Sequence, residues 1–204
     1  MGAPTGERTA RPRGATKAKL VESTIALLQG GGYAAASVAA ITQRSGVAAG
    51  TLYRHFASKE ALFVEVFRSV CERELAAMRG AAAGATTYEA RLDAVVDVFA
   101  RRALSNPRLA WALIAEPVDP LVDSERLEFR RRYRDLMAEL VREGINQRRI
   151  PAQDPGLTAA ALVGAIGEAL VGPLSPSEAA RGPDDRIVGD LIALCRRATG
   201  APAG

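Results

Sequence analysis

The chain has 204 residues, of which 48% are hydrophobic and 25% charged, ordinary values for a globular protein. Two cysteines and a single histidine exclude a disulfide-rich scaffold and any site built from several histidines. The first residues are polar, and no apolar run approaches the ~18 residues that cross a bilayer, so we expect a cytoplasmic protein with no membrane partner.

The net charge of +4 is unevenly distributed along the chain. Residues 1–60 carry eight basic and three acidic side chains, so this segment is +5 and the remainder is −1. Electrostatic attraction to phosphates requires local positive charge of this kind. The charge pattern therefore indicates that any contact with nucleic acid is made by the first part of the chain.

The first segment divides into an arm and a helix. Residues 1–14 lack apolar periodicity and contain prolines, glycines and arginines, which predicts a disordered basic arm. Both insertion of this arm into a minor groove and plain solvation remain open. From Thr16, apolar residues recur at three- and four-residue spacing, which predicts a helix. The glycines at 30–32 end it, because glycine adopts the left-handed conformation common at helix ends.

Residues 37–56 predict two short helices joined by a tight turn at Gly46. Ser37 stands at the N-cap position of the first of these helices. Leu52 and Phe56, four residues apart, form the apolar side of the second. Two such helices form a helix-turn-helix, whose second helix can enter the major groove of DNA. Residues 15–60 are therefore the predicted DNA-binding domain.

Further helices follow this unit. Ser58 is the predicted cap of a fourth helix, and residues 80–84 are predicted as a loop or a frayed end of that helix. The prolines of segment 116–120 interrupt the helical pattern, because proline lacks a backbone N–H. Asp123 or Ser124 is then expected to cap a long helix.

Two apolar helices close the chain. Asp154 followed by Pro155 predicts the start of a helix almost without charge, and Asp184 predicts the start of the last one. A helix that is apolar on all sides must be buried on several of them. We therefore expect an all-α fold of about nine helices, in which residues 61–204 form a second, helical domain.

The most specific motif in the chain is Gly46-Val47-x-x-Gly50-Thr51-Leu52-Tyr53-x-His55-Phe56-x-Ser58-Lys59-Glu60-x-Leu62. It resembles the DNA-binding signature of the tetracycline-repressor (TetR) family of bacterial transcription regulators. Two positions depart from the family pattern, since Ala48 stands where Ser or Thr is common and Ala40 where an acidic residue is common. The resemblance implies a repressor that binds a palindromic operator as a homodimer and is released by a small-molecule inducer.

The resemblance also implies which residues contact DNA. Tyr53, His55 and Lys59 are expected at phosphates, and Arg54 is the candidate base reader because a guanidinium can bond both O6 and N7 of guanine. A purely structural role for Thr51 and a plain surface position for His55 are the alternatives. The complete set of candidates is Ser37, Ala49, Gly50, Thr51, Tyr53, Arg54, His55 and Lys59.

In the family, the C-terminal domain encloses a ligand pocket and dimerises through its last two helices. The candidates for the pocket are Phe99, Trp111, Ile114, Glu116, Phe129, Tyr133 and Met137. The candidates for the dimer interface are Leu162, Ile166, Leu170, Val188, Leu191, Ile192 and Cys195. For the pocket set, the alternative is that these side chains are ordinary core residues and helix caps.

Other classes of protein were weighed against this interpretation. The sequence contains no phosphate-binding loop, nucleophile elbow or paired acid and base, so we expect neither an enzyme, a cofactor nor a metal site. One alternative is a helix-turn-helix protein that acts without a ligand or as an activator. Another is an enzyme with an appended DNA-binding domain.

Overall fold

The computed structural model of the protein describes residues 13–178 and 186–201. Within these two ranges every regular element is an α-helix, which confirms the predicted all-α class. The helices are α1 (Arg13–Ala35), α2 (Val38–Ser45), α3 (Ala49–His55), α4 (Lys59–Ala83), α5 (Tyr88–Ser105), α6 (Pro107–Ile114), α7 (Pro120–Asn146), α8 (Pro155–Leu174) and α9 (Arg186–Thr199).

The first helix is interrupted at the glycine triplet. Gly31 (φ −158°) and Gly32 (φ 66°) leave the helical conformation, and one further helical turn follows before α2. The break lies where it was expected, because glycine takes a positive φ without a side-chain penalty. The predicted arm, residues 1–14, lies outside the described residues except for Arg13 and Gly14, which form the start of α1 and are helical.

Helices α1 to α3 pack around a small apolar core that α4 completes. Leu20, Ile41, Leu52 and Leu62, one from each of the four helices, are fully buried. Each of the short helices α2 and α3 is too short to be stable alone, so burial of these side chains on α1 and α4 stabilises them. The core thereby determines how α3 is presented to the surroundings.

Helix α4 is longer than predicted. Ser58 caps it, with its Oγ accepting a backbone N–H at 3.2 Å, as expected. The helix continues to Ala83, so the prediction of a loop or frayed end is wrong for residues 80–83, and Gly84 follows the helix as its cap. The reason is that alanine has the highest helix propensity and Ala82 is buried in the core, which favours another helical turn. α4 packs on α1, α5 and α7 and so links the two parts of the protein.

Helix α7 begins earlier than predicted. Its cap is Asp119, whose carboxylate accepts the N–H of Leu121 at 2.9 Å, and neither Asp123 nor Ser124 has this role. Pro120 occupies the first helical position, where the missing N–H has no intrahelical partner to lose. α7 then packs on α4, α5 and α8 through the C-terminal region.

Helix α8 starts as predicted, with the Asp154 carboxylate accepting the N–H of Leu157 at 2.7 Å. The predicted start of the last helix, Asp184, lies outside the described residues. By length and composition alone, α8 could cross a membrane, which corrects the expectation that no apolar run is long enough. Core helices of soluble proteins share this length and composition, and one side of α8 packs on α5, α6, α7 and α9.

Gly144 of α7 provides a test of this packing. A Cβ at Gly144 would lie 2.7 Å from ring atoms of Tyr88, which is fully buried and has no free space to move into. We expect Gly144→Ala to lower the free energy of unfolding in urea by about 1–3 kcal/mol, as overpacking does. Gly80→Ala in α4 is the matched control, since nothing lies within 4 Å of its Cβ position. The control should raise the free energy of unfolding by about 0.5–1 kcal/mol. An equal increase in both variants would contradict the close contact between Gly144 and Tyr88.

Candidate nucleic-acid interface and internal cavity

The turn between α2 and α3 is held by a left-handed glycine. Gly46 has φ 61°, and its N–H bonds the carbonyl of Gln43 at 3.3 Å. The next N–H, of Val47, bonds the carbonyl of Thr42 at 3.3 Å. These two bonds satisfy the free carbonyls at the end of α2, as in other glycine-terminated helices. The turn therefore fixes the angle at which α3 leaves α2.

Helix α3 has one buried and one exposed side. Leu52 is fully buried and Phe56, which ends the helix, is 5% exposed. Tyr53, by contrast, is 51% exposed. The structure brings five of the DNA-contact candidates to the surface, and two others are half-buried beside them. The exposed ones are Ser37, Ala49, Gly50, Tyr53 and Arg54, and the half-buried ones are Thr51 and His55.

Arg54 is oriented by its neighbour Thr51. One guanidinium nitrogen of Arg54 donates a hydrogen bond to the Thr51 hydroxyl at 2.6 Å. The predicted base reader is therefore held in a defined direction on the exposed side of α3. Ala48 occupies the N-cap position without a side-chain hydrogen bond, so the departure from the family pattern leaves this short helix less well capped.

Basic groups surround this surface. The ammonium group of Lys59, the half-buried eighth candidate at the start of α4, lies 5.0 Å from the ring centre of Phe63. Two exposed basic residues that sequence reasoning did not single out are Arg44, in the last turn of α2, and Lys19. The Lys19 Nζ lies 3.8 Å from where a Cβ on Gly46 would sit, so it is beside the turn. The signal available for both was the +5 charge of residues 1–60.

A second feature is a cavity of about 630 Å³ among helices α4 to α8. Four of the seven pocket candidates line it, namely Phe99, Ile114, Phe129 and Tyr133. Trp111, Glu116 and Met137 do not. Met137 is 1% exposed and belongs to the apolar core, and Trp111 packs against that core. Glu116 instead accepts a hydrogen bond from the Tyr33 N–H at 3.4 Å.

The cavity has a charged part that the pocket prediction missed. Five arginines and two glutamates line it, and they are Arg102, Arg126, Arg130, Arg131, Arg134, Glu74 and Glu168. Arg126, Arg130 and Arg134 recur every four residues on α7, next to the aromatic positions Phe129 and Tyr133. This adjacent spacing was the signal available in the sequence.

The cavity arginines differ in their partners. Arg102 makes two hydrogen bonds to Glu74, at 2.6 and 2.9 Å, and Arg131 lies 2.8 Å from Glu128. For Arg130 and Arg134, no hydrogen bond or ion pair is found within the described ranges. Their guanidinium groups are exposed. The cavity therefore combines an apolar wall with two exposed arginines for which no ion pair is found among the described residues.

The cavity offers no obvious reactive group. Burial raises the pKa of the Cys71 thiol to about 12 and also raises the pKa of the Tyr133 hydroxyl, so both are neutral near pH 7. A neutral thiol is neither a good nucleophile nor a metal ligand. In the described part of the chain, no three His, Cys, Asp or Glu side chains come together in a way that could hold a metal ion.

The candidates for the dimer interface are mostly turned inwards in the single chain. Six of them are at most 6% exposed in this single chain, and these are Leu162, Ile166, Leu170, Val188, Leu191 and Cys195. Ile192 is half-buried. The reason is that their periodicity marks the side of α8 and α9 that packs on the rest of the chain. The exposed residues of these helices include Leu157, Ala161, Leu194 and Ala198, together with the charged Glu168, Asp190 and Arg197.

Two family models match this chain. One is described as bacterial regulatory proteins of the tetR family and matches residues 20–66. The other is described as a tetracyclin repressor-like C-terminal domain and matches residues 85–170. Both belong to the same family, and together they span about two thirds of the chain.

Individual relatives agree with the two family models. The HTH-type transcriptional repressor KstR of Mycolicibacterium smegmatis is 38% identical over 96 residues, which are 47% of each protein. The chain thus spans about half the length of the curated relatives that it matches.

Solved structures share the fold. The fatty acid degradation regulator FadR from Bacillus halodurans has a TM-score of 0.74 at 20% identity, covering 87% of this chain and 96% of its own. FadR from Bacillus subtilis in complex with stearoyl-CoA has a TM-score of 0.69 at 19% identity, covering 89% and 95%. The helix-turn-helix, the helical region behind it and the two family matches lead to one conclusion: the chain belongs to the TetR family of bacterial regulatory proteins.

Proposed function

We propose that this protein is a cytoplasmic transcriptional repressor that binds a palindromic operator as a homodimer and releases it when a small molecule occupies the cavity. In this proposal residues 15–60 bind DNA, and residues 61–204 bind the effector and form the dimer. The observation that carries it is the exposed side of α3, where Arg54 is oriented by Thr51 at 2.6 Å beside a turn flanked by basic side chains. The relatives named as repressors support repression rather than activation of transcription.

The DNA contacts divide into two kinds. Arg54 would read a base, because it extends from the middle of the exposed side and its guanidinium carries paired donors. Tyr53, His55, Lys59 and the Ser37 at the head of α2 would contact phosphates, which set the position of the protein but not its sequence preference. Ala49 and Gly50 have small or absent side chains, so they would allow the helix backbone to approach the groove.

This division of roles is testable once the operator has been selected from random DNA. Arg54→Ala should relax the base preference at one position of each half-site, at a cost of about 1–3 kcal/mol for the preferred base. Lys59→Ala should weaken binding to all sequences and lower the slope of log K against log salt by about one per protomer. Both would be measured by fluorescence anisotropy on operator variants. If the two substitutions change affinity and sequence preference alike, the proposed roles are wrong.

The dimer would form through the outward side of α8 and α9. Leu157 is 72% exposed, and Ala161, Leu194 and Ala198 line a shallow apolar groove beside it. Exposed apolar surface of this kind marks an interaction site in a soluble protein. Two-fold symmetry would place the two α3 helices in successive major grooves, about 34–36 Å apart.

A charge in this groove should separate the protomers. We expect Ala161→Glu to raise the dimer dissociation constant at least about tenfold, because an unpaired buried charge costs well over 1.4 kcal/mol. Ala76→Glu, an exposed alanine of α4, is the matched control and should leave the dimer intact. Sedimentation velocity at micromolar concentration would measure both. A wild-type protein that sediments as a monomer contradicts the dimer, and an Ala161→Glu dimer as tight as the wild type contradicts this interface.

The effector would have an apolar body and an anionic group. The cavity volume of about 630 Å³ lies within the range of about 300–1,000 Å³ typical of small-molecule sites. Its wall includes Phe67, Phe99 and Phe129, whereas Arg130 and Arg134 supply exposed positive charge at its edge. The complex of Bacillus subtilis FadR with stearoyl-CoA makes an acyl thioester a suitable first probe.

Charge neutralisation in the cavity tests this proposal. The double variant Arg130→Gln and Arg134→Gln should bind stearoyl-CoA about 10–100-fold more weakly, because it loses hydrogen bonds to a charged group. Arg142→Gln, an exposed arginine further along α7, is the control and should bind as the wild type does. Isothermal titration calorimetry gives both constants. Stearate and free coenzyme A, titrated separately, show which part of the probe the cavity holds. Equal binding by the double variant and the wild type contradicts the proposed anion site.

A further inference from the structure

Arg126 ties the end of α6 to the side of the cavity. Its side chain is 13% exposed and lines the cavity. The guanidinium donates to the carbonyl of Leu113 at 2.9 Å, to that of Glu116 at 2.9 Å and to that of Ala112 at 3.4 Å. It also donates to the Asp123 carboxylate at 2.9 Å. The last carbonyls of a helix have no intrahelical donor, so Arg126 supplies the one that fixes this helix end.

The segment held by Arg126 reaches the break in α1. The Glu116 carboxylate accepts the Tyr33 N–H at 3.4 Å. Its two oxygens lie 3.1 and 3.2 Å from the position that a Cβ on Gly32 would occupy. The carboxylate can approach the backbone this closely because residue 32 is a glycine and has no side chain. Gly32 has φ 66°, so the helical conformation of α1 is interrupted immediately before Tyr33. Glu116 therefore caps a turn of the DNA-binding unit from outside it.

Tyr33 continues the contact to the start of α4. Its ring centre lies 4.9 Å from that of Phe63, and the Lys59 ammonium lies 5.0 Å from the Phe63 ring centre. Tyr33 is half-buried, and this burial raises the pKa of its hydroxyl to about 12, so the hydroxyl stays neutral near pH 7. Contacts are thus continuous from the cavity, through Arg126, Glu116 and Tyr33, to the side chain proposed to bind a phosphate.

We propose that Arg126 is a positioning residue that couples the cavity to the helix-turn-helix by holding the end of α6, and with it the Glu116 carboxylate, against the Gly32–Tyr33 backbone. This inference rests on the proposed function of the cavity as an effector site. An anionic group entering the cavity competes with the three carbonyls for the guanidinium. Loss of those bonds frees the end of α6, moves Glu116 and removes the cap from the turn that precedes α2.

The test uses two conservative variants of the full-length protein. Arg126→Lys keeps the positive charge but cannot bond three carbonyls at once, and Glu116→Gln keeps the side-chain size but removes its charge. Arg142→Gln on the same helix is the control. The first readout is hydrogen exchange of the Tyr33 amide, measured by nuclear magnetic resonance without DNA or probe. The second is the ratio of operator dissociation constants with and without stearoyl-CoA.

We expect both variants to speed exchange at the Tyr33 amide by about three- to tenfold, the effect of weakening one hydrogen bond to a charged group. In Arg126→Lys the effect must reach the Tyr33 amide through Glu116, since Arg126 itself has no hydrogen bond to Tyr33. The operator ratio should fall towards one in both variants. Combining them should add little to either alone, as for residues acting along one path. The control should match the wild type in both readouts.

The results separate this inference from the proposed function. The coupling is overturned if Arg126→Lys leaves both the exchange rate of the Tyr33 amide and the ratio of operator dissociation constants at their wild-type values. This holds whatever result Glu116→Gln gives. If stearoyl-CoA leaves operator binding of the wild-type protein unchanged, the proposed effector function fails with this probe. The exchange measurement still decides the structural link in that case, because accelerated exchange in Arg126→Lys supports it and unchanged exchange overturns it.

Discussion

The continuity of one long helix, α4, is the constraint on which the rest of the structure depends. Its first turns complete the core of the helix-turn-helix through Leu62 and Phe63, and its middle turns form a wall of the cavity through Phe67 and Cys71. A helix rises about 1.5 Å per residue and does not stretch, so its two ends cannot change position independently. The helix-turn-helix and the cavity are consequently coupled through α4, because a tilt of this helix displaces both of its ends.

Helix α6 makes a second connection of a different physical kind. Where α4 joins the two regions by a covalent backbone, α6 does so through hydrogen bonds. Arg126 donates to its last carbonyls, and the Glu116 carboxylate just beyond its end accepts the N–H of Tyr33. Hydrogen bonds exchange partners at low cost, whereas a continuous helix does not. The arginines of the C-terminal region thereby serve separate purposes: Arg102 pairs with Glu74, Arg126 holds a helix end, and Arg130 and Arg134 leave positive charge at the cavity.

Local signals in the sequence predicted the DNA-binding unit well. The break at Gly31 and Gly32, the cap at Ser37 and the turn at Gly46 are properties of a few neighbouring residues, and the structure has all of them. The predicted start of α7 was wrong. A proline such as Pro120 can either interrupt a helix or occupy its first position, and the sequence pattern alone does not distinguish the two. Four of the seven residues named for a pocket line the cavity, whereas the position of its arginines depends on which helix lies opposite.

The sequence by itself determined the helical class, the helix-turn-helix and the resemblance to TetR regulators, because these follow from short-range periodicity, capping residues and a motif of fixed spacing. Only the tertiary structure decided which side of α8 faces outwards. This helix carries apolar or small residues on nearly every side, with Glu168 as its one charged residue, so its pattern has almost no polar side to mark the surface. The same holds for Glu116, which lies near the cavity residues in the chain but reaches across to Tyr33, a partner 83 positions away. Contacts between distant residues depend on how the helices pack, and periodicity along the chain does not encode them.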